Sequence, residues 1–270
     1  MLRSRRLAAL CSLLLLAGAV WCALPTKYDD AVSNAVGPSQ FLFSIPGSAG
    51  IDVNVSTILS AVGTPYCMRR CLGRLAYSAK RLLAFNETAE RFHDLCTALA
   101  STKECLDKRS LCGPRHVYDA VTSGMEYTCV TKRASFDRVE PCLKLHLDSI
   151  LKTCDSSCAL RANLSALSTS PTLQMAASMN GNLLMVAKQL PPFCSGVLCS
   201  LPCIVDRTNA VCPISGWLIL DAVLQPFDKA AALFDKAPEL VRQLVREQLS
   251  TVCEPLFDVS KLAQMRKGKF

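Results

Sequence analysis

Between Pro65 and Leu160 apolar residues recur at spacings of three and four, the period of a helix with one buried face. Cys67, Met68, Cys71, Leu72, Leu75 and Leu82 share such a face, while Arg70, Arg74 and Arg81 fall elsewhere on the same helix. A second helix is expected from about Asn86, with Phe92, Leu95, Cys96 and Leu99 on its stripe. Cys105 and Cys112 follow, and Gly113-Pro114 breaks the run. A third pattern, Val117, Ala120, Val121 and Met125, leads to Cys129. A fourth begins near Ser135 and carries Leu143, Leu147, Ile150, Leu151, Cys154 and Cys158. Alternation of β-branched residues is absent, so the fold class is all-α.

Beyond this region the pattern weakens and returns. The Ser/Thr-rich run 161–172 reads as an exposed loop. A helix from Leu173 to Leu190 is expected to stop at Pro191-Pro192, before Cys194, Cys199, Cys203 and Cys212. The last strong stripe is Leu240, Val241, Leu244, Val245 and Leu249, with Pro238 at its start and Cys253 at its end. The reading is a disulfide-stapled array of antiparallel helices behind a poorly ordered leader. Its parts are a leader segment 23–64, a cysteine-rich helical domain 65–160 and the loop 161–172. A cysteine-containing helical extension, 173–257, packs on the first domain, and 258–270 is a basic tail.

The first residues set the compartment. Arg3, Arg5 and Arg6 precede an apolar run ending in small residues, the build of a secretory signal peptide assigned to residues 1–22. Cleavage after Ala19 fits an A-x-A pattern, and cleavage after Cys22 would leave an even 14 of the 16 cysteines. Three sequons, at Asn54, Asn86 and Asn163, suit a secreted glycoprotein. No later stretch reads as a membrane span; Ile214–Leu224 is too short and carries Asp221. The formal charge is +8, three of it from the leader arginines, which leaves a mildly basic chain with no long Lys/Arg run. Nucleic-acid binding is not expected, and attraction to sulfated extracellular glycans is compatible with that charge.

Fourteen cysteines then need a chemistry: Cys67, Cys71, Cys96, Cys105, Cys112, Cys129, Cys142, Cys154, Cys158, Cys194, Cys199, Cys203, Cys212 and Cys253. No C-x2-C occurs, and His93, His116 and His146 are scattered, which argues against zinc and thioredoxin-type redox sites. In an oxidising compartment the cysteines read as disulfides. Nine lie in 65–160 and five beyond it, so full pairing within one chain sends at least one bridge across. Cys67-x3-Cys71 and Cys154-x3-Cys158 each sit on an apolar stripe, and nested bridges Cys67–Cys158 and Cys71–Cys154 are the favoured pairing. No G-x-S-x-G, H-E-x-x-H or Gly-rich phosphate loop is present. Acidic pairs such as Glu87/Glu90 and Asp148/Asp155 read as solvated helix faces. No enzyme activity and no cofactor are expected.

The run from Tyr66-Cys67 through Thr122–Val130 (TSGMEYTCV), Phe136, Pro141-Cys142-Leu143 and Cys154–Cys158 (CDSSC) resembles the chondroitin proteoglycan 4 domain. That resemblance, over about a third of the chain, implies a non-catalytic extracellular glycoprotein of eggshell-like matrix or surface interaction, with glycans or matrix proteins as partners. It also raises chondroitin attachment, which needs Ser-Gly. The dipeptides Ser123-Gly124, Ser195-Gly196 and Ser215-Gly216 lack the acidic surroundings preferred there, and none is expected to carry a chain. The competing reading is a saposin-like lipid- or membrane-interacting helical protein, with 190–205 and 214–224 lining a lipid pocket.

Overall fold

The structure, a computed structural model, describes residues 53–270 apart from 110, 111, 113 and 114. The proposed signal peptide and residues 23–52 of the leader lie outside the described residues. Within them the chain is all-α, with thirteen helices and no strand. In chain order these are α1 (Val55–Ala61), α2 (Tyr66–Leu82), α3 (Thr88–Asp107) and α4 (His116–Glu126). A π-turn, Tyr127–Thr131, leads into α5 (Arg133–Cys158), α6 (Leu160–Thr169), α7 (Pro171–Ser178) and α8 (Leu183–Gln189). The rest are α9 (Pro191–Val211), α10 (Ser215–Asp235), α11 (Glu239–Gln248), α12 (Glu254–Phe257) and α13 (Val259–Met265).

Four buried clusters organise them, the smallest of them Leu143 and Leu147 of α5 with Cys212. Met68, Leu72 and Leu75 of α2 pack with Leu95, Leu99 and Leu106 of α3 and with Tyr118 of α4. Val197, Leu201 and Val205 of α9 meet Leu220 and Leu224 of α10, joined by Leu256 and Leu262 from the last helices. Ala61 of α1 joins Leu173 and Ala176 of α7 and Val186 of α8. Phe92 of α3 stacks on Phe136 of α5 at 5.8 Å between centroids.

Four expectations change. The Ser/Thr-rich run 161–172 is not a loop; it forms most of α6 and opens α7. Its hydroxyls bond back onto the helix, Ser168 to the Ser165 carbonyl and Thr169 to the Ser165 carbonyl, while Leu167 is buried. That local pairing removes the usual objection to hydroxyl residues in a helix. The single helix 173–190 is split into α7 and α8 at Asn180-Gly181, both at positive φ. Gly181 has φ +115°, and a Cβ there would lie 2.3 Å from the Gly63 Cα, so the turn admits only glycine. The end of the leader segment is not loose either: α1 packs on α7, and Asn182 N–H donates to the Ala61 carbonyl.

α8 does stop before Pro191-Pro192, as expected, and the two prolines then open α9, where two missing N–H groups cost nothing. Pro141, Pro202 and Pro226 all sit inside long helices. The fourth change concerns the basic tail 258–270, which contains α13, capped by Asp258 and anchored by Leu262 and Met265 in the core.

Candidate functional site

Fourteen cysteines form seven bridges, and their connectivity divides the chain differently from its sequence halves. Cys67–Cys112, Cys71–Cys105 and Cys96–Cys129 close the α2–α4 region. Cys142–Cys212, Cys154–Cys203, Cys158–Cys199 and Cys194–Cys253 close everything from α5 onward. Three of the latter cross between 65–160 and 193–253. No described bridge joins the two groups, so the covalent boundary falls at the π-turn rather than near residue 160.

The favoured nested clamp exists with a different partner. Cys154 and Cys158 of α5 pair with Cys203 and Cys199 of α9, at Cα separations of 5.8 and 5.5 Å. Two i,i+4 pairs on antiparallel helices give two rungs in reverse order, as helix geometry requires. The pairing Cys67–Cys158 and Cys71–Cys154 is therefore corrected. α2 packs against α3, so Cys67 and Cys71 meet Cys112 and Cys105 instead. The signal for the true partner was Cys199-x3-Cys203, hidden by Pro202 between them.

Noncovalent contacts close the seam between the two groups. α4 lies against α10 so closely that a Cβ on Gly124 would stand 2.4 Å from the Ala222 carbonyl oxygen. Tyr127 of the π-turn donates its hydroxyl to Asp221 of α10 at 3.1 Å. Arg266, just past α13, donates to the same carboxylate at 2.8 Å and grips Asp228 through both terminal nitrogens. Partial burial and then the Asp221 charge push the Tyr127 phenol up to about 12, so it stays a neutral donor at physiological pH. The hydrogen bonds that Arg266 donates to Asp228 and Asp221 push its guanidinium further up, so it stays charged.

The acidic pairs have structural work that the sequence did not reveal. Asp148 accepts from the Glu87 and Thr88 backbone N–H groups, capping α3 from α5. Asp155 accepts from the Arg161 backbone and side chain at the start of α6. Among the described residues no three His, Cys, Asp or Glu side chains converge into a metal-holding group. His93 instead joins a surface network with Glu140 and Arg133. The lysine-paired Glu140 carboxyl is held below the usual range.

Pockets are modest. An apolar crevice between α1, α2 and α4, lined by Leu59, Leu72, Leu75, Val121 and Met125, has a volume of about 50 Å³. That is well below the few hundred Å³ of ligand pockets. An open cleft of about 420 Å³ lies over Cys96–Cys129, with Lys103, Glu126 and Arg133 at its edges. The segments 190–205 and 214–224 supply core residues of α9 and α10 rather than a cavity wall. Among the described residues no single helix is long and apolar enough to cross a membrane. The pair α8 and α9 passes by length and composition, bent by 57°.

The three sequons differ in access. Asn86 is exposed between α2 and α3. Asn54 is exposed at the start of α1, where only its Oδ1 is used, accepting from Thr57 N–H. Asn163 is half-buried, and its Nδ2, the atom a glycan would occupy, donates to the Pro192 carbonyl at 2.9 Å between α6 and α9. For protein made in a eukaryotic secretory cell we expect glycan at Asn86 and Asn54 and none at Asn163. Peptide mapping after N-glycosidase in heavy-oxygen water reads each site, and a label at Asn163 would show that the α6–α9 packing yields to a sugar.

The Ser-Gly dipeptides serve packing. Ser123 and Ser215 are buried, at 7% and 0% exposure. Gly124 faces Ala222, a Cβ on Gly216 would stand 2.4 Å from the Val205 carbonyl oxygen, and one on Gly196 would stand 3.1 Å from the Leu160 Cα. Only Ser195 is exposed.

Chondroitin proteoglycan 4 of Caenorhabditis briggsae is 25% identical over 138 residues, half of this chain and 20% of that protein. Chondroitin proteoglycan 4 of Caenorhabditis elegans is 23% identical over 137 residues, again half of this chain and 17% of the relative. The matched part thus spans about a fifth of these curated relatives. No solved structure matches. The family profile for chondroitin proteoglycan 4 covers residues 56–258, from α1 to the start of α13, and so takes in every bridge described above. The chain belongs to the chondroitin proteoglycan 4 family.

Proposed function

We propose that this protein acts outside the cell as a non-catalytic, disulfide-locked glycoprotein of an extracellular matrix or eggshell-like layer. The observation that carries the reading is the bridging of all 14 cysteines after residue 22. A framework that dense is made and kept in oxidising compartments. Asp148 and Asp155, expected on solvated helix faces, serve as helix caps, which suits a scaffold. The relatives are named as chondroitin proteoglycans. For this chain the burial of Ser123 and Ser215 and the lack of acidic neighbours at Ser195 favour a core-like part without its own chondroitin.

The test is expression of the full chain in a secreting eukaryotic cell, followed by non-reducing peptide mapping and digestion with chondroitinase or N-glycosidase. Protein in the medium with the seven bridges and no free thiol is expected, losing mass to the N-glycosidase only. Retention inside the cell with reduced cysteines would overturn the extracellular reading. A chondroitinase shift would point to Ser195 and remove the claim of an unmodified core.

A second reading, attachment to a lipid surface, has one specific support. α11 buries none of its residues, and Leu240 and Leu244 stand 65% and 41% exposed on it. Co-sedimentation with zwitterionic and anionic vesicles, without effect of Leu240→Ser with Leu244→Ser, would remove it.

A further inference from the structure

The face of α2 turned away from the core carries a basic and aromatic pattern that core packing does not require. Its core side is Met68, Cys71, Leu72 and Leu75. At 3.6 residues per turn, the opposite arc of about 140° contains only arginines, lysine, tyrosines and one glycine. The 17-residue helix has five basic residues and no acidic one. Arg70 and Arg74 are exposed and have no hydrogen-bond or ion-pair partner among the described residues. Tyr66 and Tyr77 are 63% and 41% exposed on the same arc. Arg69 lies over the Tyr66 ring at 5.6 Å while donating to Ser60, and Arg81 lies over the Tyr77 ring at 6.0 Å while pairing with Asp94, so both flank the unpartnered pair as fixed positive charges.

We infer that this face binds an anionic polysaccharide, a linear glycan bearing sulfate or uronate groups, by direct noncovalent contact. Arginine forks match sulfate and carboxylate oxygens in pairs. Tyrosine offers a flat apolar ring with a polar edge, suited to the C–H face and hydroxyls of a sugar. From Tyr66 to Arg81 the helix rises about 22 Å, long enough for several sugar rings in line. Gly73 lies mid-arc, and a Cβ there would meet nothing within 4 Å, so the chain can approach the helix backbone closely. The bridges Cys67–Cys112 and Cys71–Cys105 hold the face rigid before any ligand arrives, which lowers the ordering cost of binding.

A membrane fits this face poorly, because its arc has no aliphatic side chain to insert. The inference rests on the extracellular reading, since that is where such glycans are met.

The experiment compares the secreted full chain with two charge-matched variants on immobilised heparin and chondroitin sulfate. Arg70→Gln with Arg74→Gln removes the free pair on α2. Lys152→Gln with Arg207→Gln removes two exposed charges elsewhere. The first variant should bind about tenfold more weakly and elute at lower salt, with the control unchanged. Tyr66→Ala with Tyr77→Ala should weaken binding further at a salt level that screens charge. Equal losses in both charge variants would mean net charge alone, and would overturn the site. So would binding only to phosphatidylserine vesicles, or only to single-stranded RNA. Secretion and bridge formation are scored separately. A secreted, fully bridged protein that ignores both glycans therefore defeats this inference and leaves the extracellular reading standing.

Discussion

Removing both rungs of the α5–α9 ladder should unfold the protein, while removing one should only weaken it. Cys154–Cys203 and Cys158–Cys199 enclose 49 and 41 residues of chain. With one rung present, the second closes a ring of only about ten residues, worth about 3 kcal/mol in the chain-entropy treatment. With Cys142–Cys212 still in place, the last rung closes a ring of about 20–30 residues and is worth about 3.5 kcal/mol. Cys154→Ala with Cys203→Ala, or Cys158→Ala with Cys199→Ala, should therefore lower the unfolding midpoint by about 6–12 °C. All four changes together cost about 7 kcal/mol, comparable to the whole stability of many domains. The quadruple variant should not be secreted. Circular dichroism melts of the two double variants and a blot of the medium for the quadruple one decide the matter. A quadruple variant that is secreted and melts no lower than the sum of the double variants would mean that packing and the remaining Cys142–Cys212 bridge suffice to hold α5 to α9.

The ladder also marks where sequence was readable and where it was not. Spacing alone indicates that Cys154 and Cys158 share a helical face and need an antiparallel i,i+4 partner. It does not choose between Cys67-x3-Cys71 and Cys199-x3-Cys203, because that depends on which helices pack. Pro202 made the second pair look like a turn, although a helix clamped by bridges on both flanks of the proline tolerates the missing hydrogen bond. The α2 and α5 stripes were legible because long periodic patterns outvote local exceptions. α6 was not, because its hydroxyl–carbonyl bonds are invisible as composition. Caps reaching across the fold, as Asp148 does for α3, have no local signature at all. The basic face of α2 was half legible: its arginines stood off the apolar stripe, but only the structure shows that Arg70 and Arg74 lack partners among the described residues while Arg69 and Arg81 have them.

The seam between the two disulfide groups gives the other large effect, and its sign depends on space rather than on helix propensity. Gly73 and Gly124 both lie inside helices, where alanine is intrinsically better by about 1 kcal/mol. At Gly73 the added methyl meets nothing within 4 Å, so Gly73→Ala should gain about 0.5–1 kcal/mol. At Gly124 the same methyl would lie 2.4 Å from the backbone oxygen of Ala222, which no rotamer change can move. α4 and α10 must separate, at the upper end of the about 1–3 kcal/mol cost of overpacking, or above it. After the propensity gain, Gly124→Ala should lose about 2 kcal/mol, lowering the midpoint by about 4–8 °C while Gly73→Ala raises it. The damage should also be local. No described bridge crosses this seam, so amide exchange should speed up in α4, the π-turn and the facing part of α10, where Tyr127 meets Asp221. The bridged α5–α9 pair should keep its protection. Uniform acceleration along the chain would mean that the two disulfide groups unfold as one unit, and a neutral Gly124→Ala would mean that the helices do not approach this closely in solution.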